Sequence, residues 1–230
     1  MATILITGTN RGIGLEFAKQ CLARGDRVIA TCRDLTAAPE LKSLRDSHGD
    51  LDIRQLDVAS AESMQEFAQQ LEATAIDTFI NNAGVYGPSS VKFGAIDAQA
   101  WVSVLQVNSI APLILTQLLM PSLRQGKDKK LVYLSSKMGS IADNGGGGSY
   151  IYRSSKAALN SAVKSLAIDL EAEGFSAAVL HPGWVLTDMG GPNALIDTKT
   201  SVSGMIQVID KLNPQNSGSF FNYDGSIIPW

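Results

Sequence analysis

The chain has 230 residues, 45% of them hydrophobic and 18% charged, a balance that suits a globular protein and excludes a disordered one. With 19 basic against 22 acidic residues, the net charge of -3 gives no whole-surface attraction to nucleic acid or to an acidic membrane. The two cysteines, Cys21 and Cys32, form no disulfide framework; no basic leader precedes the first apolar run, and none approaches the roughly 20 residues that span a bilayer, so a reduced, cytoplasmic setting is expected.

Taken in order, apolar patterning alternates strand and helix almost without a break. Residues 3–7 (TILIT) read as a strand, and 13–22 as a helix with Ile13, Phe17, Ala18 and Cys21 on one face, stopped by Gly25. Strand 27–32, helix 39–47 and strand 51–56 follow, then a helix from about Ser60 to Ala73 and a strand over 76–81. A long helical region, 97–123, is kinked or restarted near Pro112. Strand 130–135, helix 152–173, strand 176–181, helix 198–212 and a closing strand at 219–221 complete the chain. Seven buried strands interleaved with helices predict a doubly wound parallel sheet covered on both faces, in one domain over residues 1–230. The only low-complexity stretch is the glycine run 145–148, read as a flexible rim.

Chemistry enters at the first strand–helix turn. Thr7-Gly8-Thr9-Asn10-Arg11-Gly12-Ile13-Gly14 stands where glycines let backbone approach a pyrophosphate and where a helix start offers free N–H groups. This is the position of the phosphate turn in a Rossmann-type domain. At the end of the second strand, Thr31-Cys32-Arg33 has no carboxylate for adenosine ribose hydroxyls, and the cation suits a 2′-phosphate. That pattern favours NADP(H) over NAD(H), with Arg11 as a second cation. Asn81-Asn82-Ala83-Gly84 ends the fourth strand at the same sheet edge.

Tyr152 and Lys156, four residues apart in Tyr152-Arg153-Ser154-Ser155-Lys156, share a helix face. Beside an ammonium and an oxidised nicotinamide, the phenol pKa should fall, and such a phenol can exchange a proton with an alkoxide. Ser135 and Ser136, after the fifth strand, offer a hydroxyl to the same place. No His, Cys or carboxylate cluster has metal-ligand spacing. Tyr150 competes for the tyrosine role but has no lysine four residues on, and His181 reads as hydrogen-bonded structure. Trp101, Trp184 and Trp230 read as packing, with Trp184 also at the edge of the substrate pocket.

These elements, in this order, resemble the short-chain dehydrogenase/reductase family over essentially the whole chain. The matching features are TGTNRGIG, NNAG, Asn108, Ser136, YRSSK and the Pro182-Gly183 turn. The stretch from Tyr150 through HPGWVLTDMGG to FFNYDG resembles the subgroup of sniffer-type carbonyl reductases and C-factor-like proteins.

The resemblance implies a strand order 3-2-1-4-5-6-7, and it implies roles. Tyr152 would be the general acid/base, Ser136 would bind the substrate carbonyl, and Lys156 would hold the nicotinamide ribose. Asn108 would hold a relay water. Gly8, Asn10, Arg11, Gly12, Ile13, Gly14 and Arg33 would bind the phosphates, and Asp57 and Val58 the adenine. Asn82, Ala83 and Gly84 would line the ribose, and Pro182, Gly183, Val185 and Thr187 would pass the nicotinamide. The interval from Ser136 to Tyr152 is about three residues longer than the commonest family spacing, which leaves Ser135 and Ser136 both open as the working hydroxyl. The implied activity is NADPH-dependent interconversion of a small aldehyde, ketone or quinone with its alcohol, under a short lid at about 188–200. The alternative is a dinucleotide-binding signalling protein with little turnover. The usual family arrangement is a homodimer or homotetramer joined through the two long helices.

Overall fold

The computed structural model describes residues 1–89 and 91–230. Its strands are β1 (Thr3–Ile6), β2 (Arg27–Cys32), β3 (Leu51–Gln55), β4 (Thr78–Asn81), β5 (Lys130–Leu134), β6 (Ser176–His181) and β7 (Ser219–Asn222). The helices are α1 (Gly12–Ala23), α2 (Pro39–Ser47), α3 (Ala61–Gln70), α4 (Ala98–Leu105), α5 (Ala111–Gln125), α6 (Tyr150–Asp169) and α7 (Thr198–Asp210). All neighbours pair in parallel in the order β3-β2-β1-β4-β5-β6-β7. The chain winds outward from β1 to β3 and returns to β4 beside β1. A crevice therefore opens between the carboxyl ends of β1 and β4.

Alternation along each strand divides the core. Ile4, Ile6, Val28, Ala30 and Val132 pack on the α1/α7 face, while Leu5, Ile29, Phe79, Leu131 and Tyr133 pack on the α3/α5/α6 face. Each fully buried Leu, Ile or Phe contributes about 1.5–3 kcal/mol of transfer free energy. The Tyr133 side chain is fully enclosed, and its hydroxyl meets Thr116 Oγ1 at 2.6 Å. Helix starts are set by side-chain caps: Ser60 accepts from the Ser63 N–H, Asp97 from Gln99 and Asp197 from Thr200.

The long helical region departs from expectation. It runs unbroken over Ala98–Gln125, with a π-helical turn at Gln106–Ile110 between α4 and α5. Pro112 falls in the first turn of α5, where a missing N–H is tolerated, and Thr116 Oγ1 donates to its carbonyl at 2.7 Å. By length and composition this stretch of 28 residues could cross a membrane, so the expectation that no such segment exists is corrected. Here it lies along the sheet, with Leu115, Leu119 and Leu123 fully buried. Two smaller differences matter later. α6 starts two residues early, at Tyr150, after Ser149 takes a left-handed conformation, and it ends at Asp169. Both cysteines are free and buried.

At the β7 edge the chain turns back on itself. Phe221 bridges Ile227 antiparallel, and the Ile228 N–H donates to the Phe220 carbonyl at 2.8 Å.

Candidate active site

A cleft of about 660 Å³ runs along the carboxyl edge of the sheet, walled by the glycine turn, the ends of β2, β4 and β5, part of α6, and residues 182–189. At one end Gly8 and Gly12 take positive φ (69° and 57°), which side chains disfavour. A Cβ on Gly14 would lie 2.2 Å from the Gly8 carbonyl oxygen, so no side chain fits there. Arg11, the residue before α1, makes no side-chain cap, which leaves the helix's first N–H groups to the cleft.

The glycine turn is clamped from below. Asn82 Nδ2 donates to the carbonyls of Thr7 and Gly8, both at 2.8 Å, and the Thr7 hydroxyl accepts the N–H groups of Asn82 and Ala83. Asn82, Ala83 and Gly84 all line the cleft, and the Asn82 amide is at the same time spent on the turn.

Cys32 and Arg33 line the cleft at the end of β2. Asp34, the first carboxylate after them, also lines the cleft, and its Oδ1 accepts from both the N–H and the hydroxyl of Thr36 at 2.7 Å, which lowers its pKa. Among the described residues Arg33 makes no ion pair, whereas Arg11 pairs with Asp188 across the cleft at 2.7 Å. Asp57 and Val58 also line the wall, with one Asp57 oxygen taken by the Ala59 N–H.

The other end holds Tyr152 and Lys156, both buried. Of the two serines, Ser135 lines the cleft but its hydroxyl donates to Asn160 at 2.6 Å, while Ser136 is the hydrogen-bonding neighbour of the Tyr152 phenol. Burial pushes the phenol pKa up to about 12, and the Ser136 hydrogen bond offsets only part of that. The protein's own groups thus set the phenol above its ordinary pKa, against which the ammonium and oxidised nicotinamide named in the sequence reading would act. Burial brings the Lys156 pKa down to about 8; its ammonium donates to the Leu134 carbonyl at 2.9 Å and stands 5.9 Å from the phenol ring centre.

Asn108 sits in the π-helical turn, behind Gly84. Its side chain holds the Val85 backbone at both ends, at 2.9 and 2.8 Å, and donates to Ser155 Oγ at 3.0 Å. Both Asn108 amide hydrogens are thereby used while Oδ1 accepts only the Val85 N–H, and Pro112 has no N–H to give the Asn108 carbonyl four residues back.

Pro182 and Thr187 reach the cleft. Gly183 and Val185 stand behind it: Gly183 faces Ile196 and Tyr223, and Val185 is buried and bridges Ile196. The segment expected as a lid ends sooner than read, because residues 198–200 belong to α7. Trp184 holds it by donating to the Gly190 carbonyl at 2.7 Å. Among the described residues, no group of three His, Cys, Asp or Glu could hold a metal.

One side chain at this end escaped the sequence reading. Tyr86, two residues past the NNAG turn, stacks on the Tyr152 ring with centres 4.4 Å apart and 27° between planes. An aromatic residue in a short loop between Gly84 and Gly87 was the available signal.

A doubly wound sheet with an open glycine turn at its switch point and a Tyr/Lys pair across the cleft defines a nucleotide-dependent oxidoreductase scaffold. The family described as short chain dehydrogenase matches residues 2–195, and the chain belongs to it. The C-signal protein of Myxococcus xanthus is 47% identical over 167 residues, which are 73% of this chain and all of that protein. The carbonyl reductase Sniffer of D. melanogaster superposes with a TM-score of 0.95 at 35% identity, covering 100% of both chains. An NADPH-bound carbonyl reductase from chicken fatty liver gives 0.93 at 33% identity, covering 100% of this chain and 99% of that one.

Proposed function

We propose that this chain is an NADP(H)-dependent carbonyl reductase that interconverts a modest-sized aldehyde, ketone or quinone with its alcohol. The carrying observation is one cleft with an uncapped helix start and Arg33 at one end and Tyr152 and Lys156 at the other, with Ser136 hydrogen-bonded to the Tyr152 phenol. The cradle above Gly14, which a Cβ would fill, fits a pyrophosphate against backbone. Gly8, Asn10, Gly12, Ile13 and Gly14 hold that group. Arg33, with Asp34 turned onto Thr36, favours a 2′-phosphate, and Arg11 joins it on release from Asp188. Asp57 and Val58 flank the adenine; Ala83, Gly84, Pro182 and Thr187 line the ribose and nicotinamide path.

When bound, the reduced dinucleotide supplies a hydride to the carbonyl carbon. Tyr152, neutral at pH 7 with a pKa near 12, donates its phenol proton to the carbonyl oxygen, which Ser136 also hydrogen-bonds. Lys156, poised near pH 8, recharges the phenol, and a water on the free Asn108 carbonyl links it to solvent. Residues 188–197 close over substrate as a short lid. Exposed Val102, Ile110, Ile114 and Ile168 on the long helices support pairing of two copies, which sedimentation would test.

Carbonyl-dependent NADPH oxidation tests the reading. Turnover across an aldehyde, ketone and quinone panel is the expected result; NADPH binding without turnover would overturn it. The similarity to C-signal supports the second reading, a dinucleotide-binding signalling protein, and that outcome would favour it.

A further inference from the structure

We propose that Tyr86 is a positioning residue for Tyr152 and closes one face of its phenol to substrate. The proposal rests on Tyr152 being the proton donor.

Tyr86 is not a loose loop side chain. The residue before it is fixed at both backbone atoms, since Val85 N–H donates to Asn108 Oδ1 and the Val85 carbonyl accepts from Asn108 Nδ2. The residue after it, Gly87, has φ 75° and presses so closely on α4 that a Cβ there would lie 2.6 Å from Val104 Cγ2. Between these anchors the Tyr86 ring is laid on the Tyr152 ring at 4.4 Å. Its hydroxyl reaches Ser149 Oγ at 3.4 Å.

Ser149 ends the glycine run and opens α6 in a left-handed conformation (φ 46°), with its N–H donated to the Val91 carbonyl at 3.0 Å. The run 145–148 thereby acquires a use: it lets the chain arrive at Ser149 in the one geometry that places both Tyr86 and the first turn of α6. Gly147 and Gly148 take positive φ there, at 61° and 64°.

The consequence is directional. A ring pressed on one face of the phenol excludes water and substrate from that face, so a carbonyl oxygen reaches the phenol hydroxyl along the ring edge, from the Ser136 side. Flat or unbranched carbonyls satisfy that approach. A carbonyl with bulky groups on both sides collides with Tyr86.

Tyr86→Ala and Tyr86→Phe separate the possibilities, read with para-nitrobenzaldehyde as the flat probe and benzophenone as the bulky one. Tyr86→Phe keeps the ring and should hold kcat for the aldehyde within about twofold of the parent. Tyr86→Ala should lower that kcat about tenfold with a smaller change in KM, and raise kcat/KM for benzophenone relative to the aldehyde. NADPH affinity should stay within about twofold in both. Opening the phenol to water should also move its ionisation to lower pH by about one unit in Tyr86→Ala, and by less in Tyr86→Phe, which keeps the ring and loses only the Tyr86 phenol charge. That titration is read by ultraviolet difference spectra of the full chain, with the same substitution in a Tyr152→Phe background subtracted.

Unchanged kcat and ionisation in Tyr86→Ala would overturn the proposal, as would Tyr86→Phe failing equally, or loss of NADPH binding. If the parent chain turns over no carbonyl, the proposed function fails, and the ionisation shift alone decides the stack.

Discussion

At the phosphate end of the cleft the wall is backbone. Asn82 and Thr7 hold the glycine turn by four hydrogen bonds of 2.8–3.0 Å, before any ligand arrives. At the reactive end the wall is side chains, and their proton affinities are displaced: Tyr152 upward to about 12, Lys156 downward to about 8. The first end is rigid and chemically inert. The second bears the energetic cost of burial, which a bound dinucleotide can partly return through its ribose hydroxyls and charge. Binding and reactivity should therefore be separable by mutation, and each substitution below tests that division.

The largest effect is expected at the phenol. Tyr152→Phe removes the proton donor and should lower kcat by about 10²–10⁴ while NADPH fluorescence titrations remain close to the parent. Comparable loss of binding would erase the division between the two ends.

Next comes acid stability behind the reactive end. Burial, aided by Lys137, brings the His181 pKa down to about 4 from 6.5, and its Nδ1 is buried without a partner. Above pH 6.5 both folded and unfolded chains hold the ring neutral; as pH falls toward 4, only the unfolded chain takes up the proton. Urea unfolding should therefore show roughly 3 kcal/mol of stability lost across that window, and His181→Gln should flatten the slope.

Gly14→Ala tests the phosphate end. A methyl 2.2 Å from the Gly8 carbonyl forces the turn apart, at about 1–3 kcal/mol in stability, and NADPH and NADH should weaken together. Arg33→Ala is finer. It should weaken NADPH by about 10–100-fold and NADH hardly at all; equal losses would refute the 2′-phosphate assignment. The smallest change is at Asp188→Ala. Its pair with Arg11 is exposed, so stability should move by less than about 1 kcal/mol, with NADPH affinity rising slightly as Arg11 is freed.

Legibility in the sequence divided along similar lines. β2, α2 and β6 begin and end where apolar runs and flanking turn residues place them, because local pattern and tertiary burial agree there. The glycine turn and the Tyr152/Lys156 face were equally readable. What escaped depends on contacts distant in sequence. The hydrogen bonds of the Asn82 and Asn108 side chains to the turn and the Val85 loop have no local signal, because only the fold brings those partners near. The break in the long helix was sought at Pro112, but the wide turn precedes it at Gln106–Ile110. For the Tyr152 pKa the pattern shows the neighbouring charge but not the desolvation, which depends on how deeply the fold buries the ring. Tyr86 has no motif to mark it; its importance comes from two backbone anchors on other elements.

The short reversal at residues 226–228 carries a last consequence. Parallel sheets expose unpaired backbone along both outer strands, an open template for association between molecules. Here one border is occupied by the chain's own returning segment, through the Phe221–Ile227 bridge. The opposite border, β3, is guarded by charge: Asp52 and Arg54 form an ion pair at 2.9 Å. Resistance to aggregation is thus built differently on the two flanks. Neutralising Asp52 and Arg54 together should leave NADPH binding untouched while opening the β3 border to strand addition.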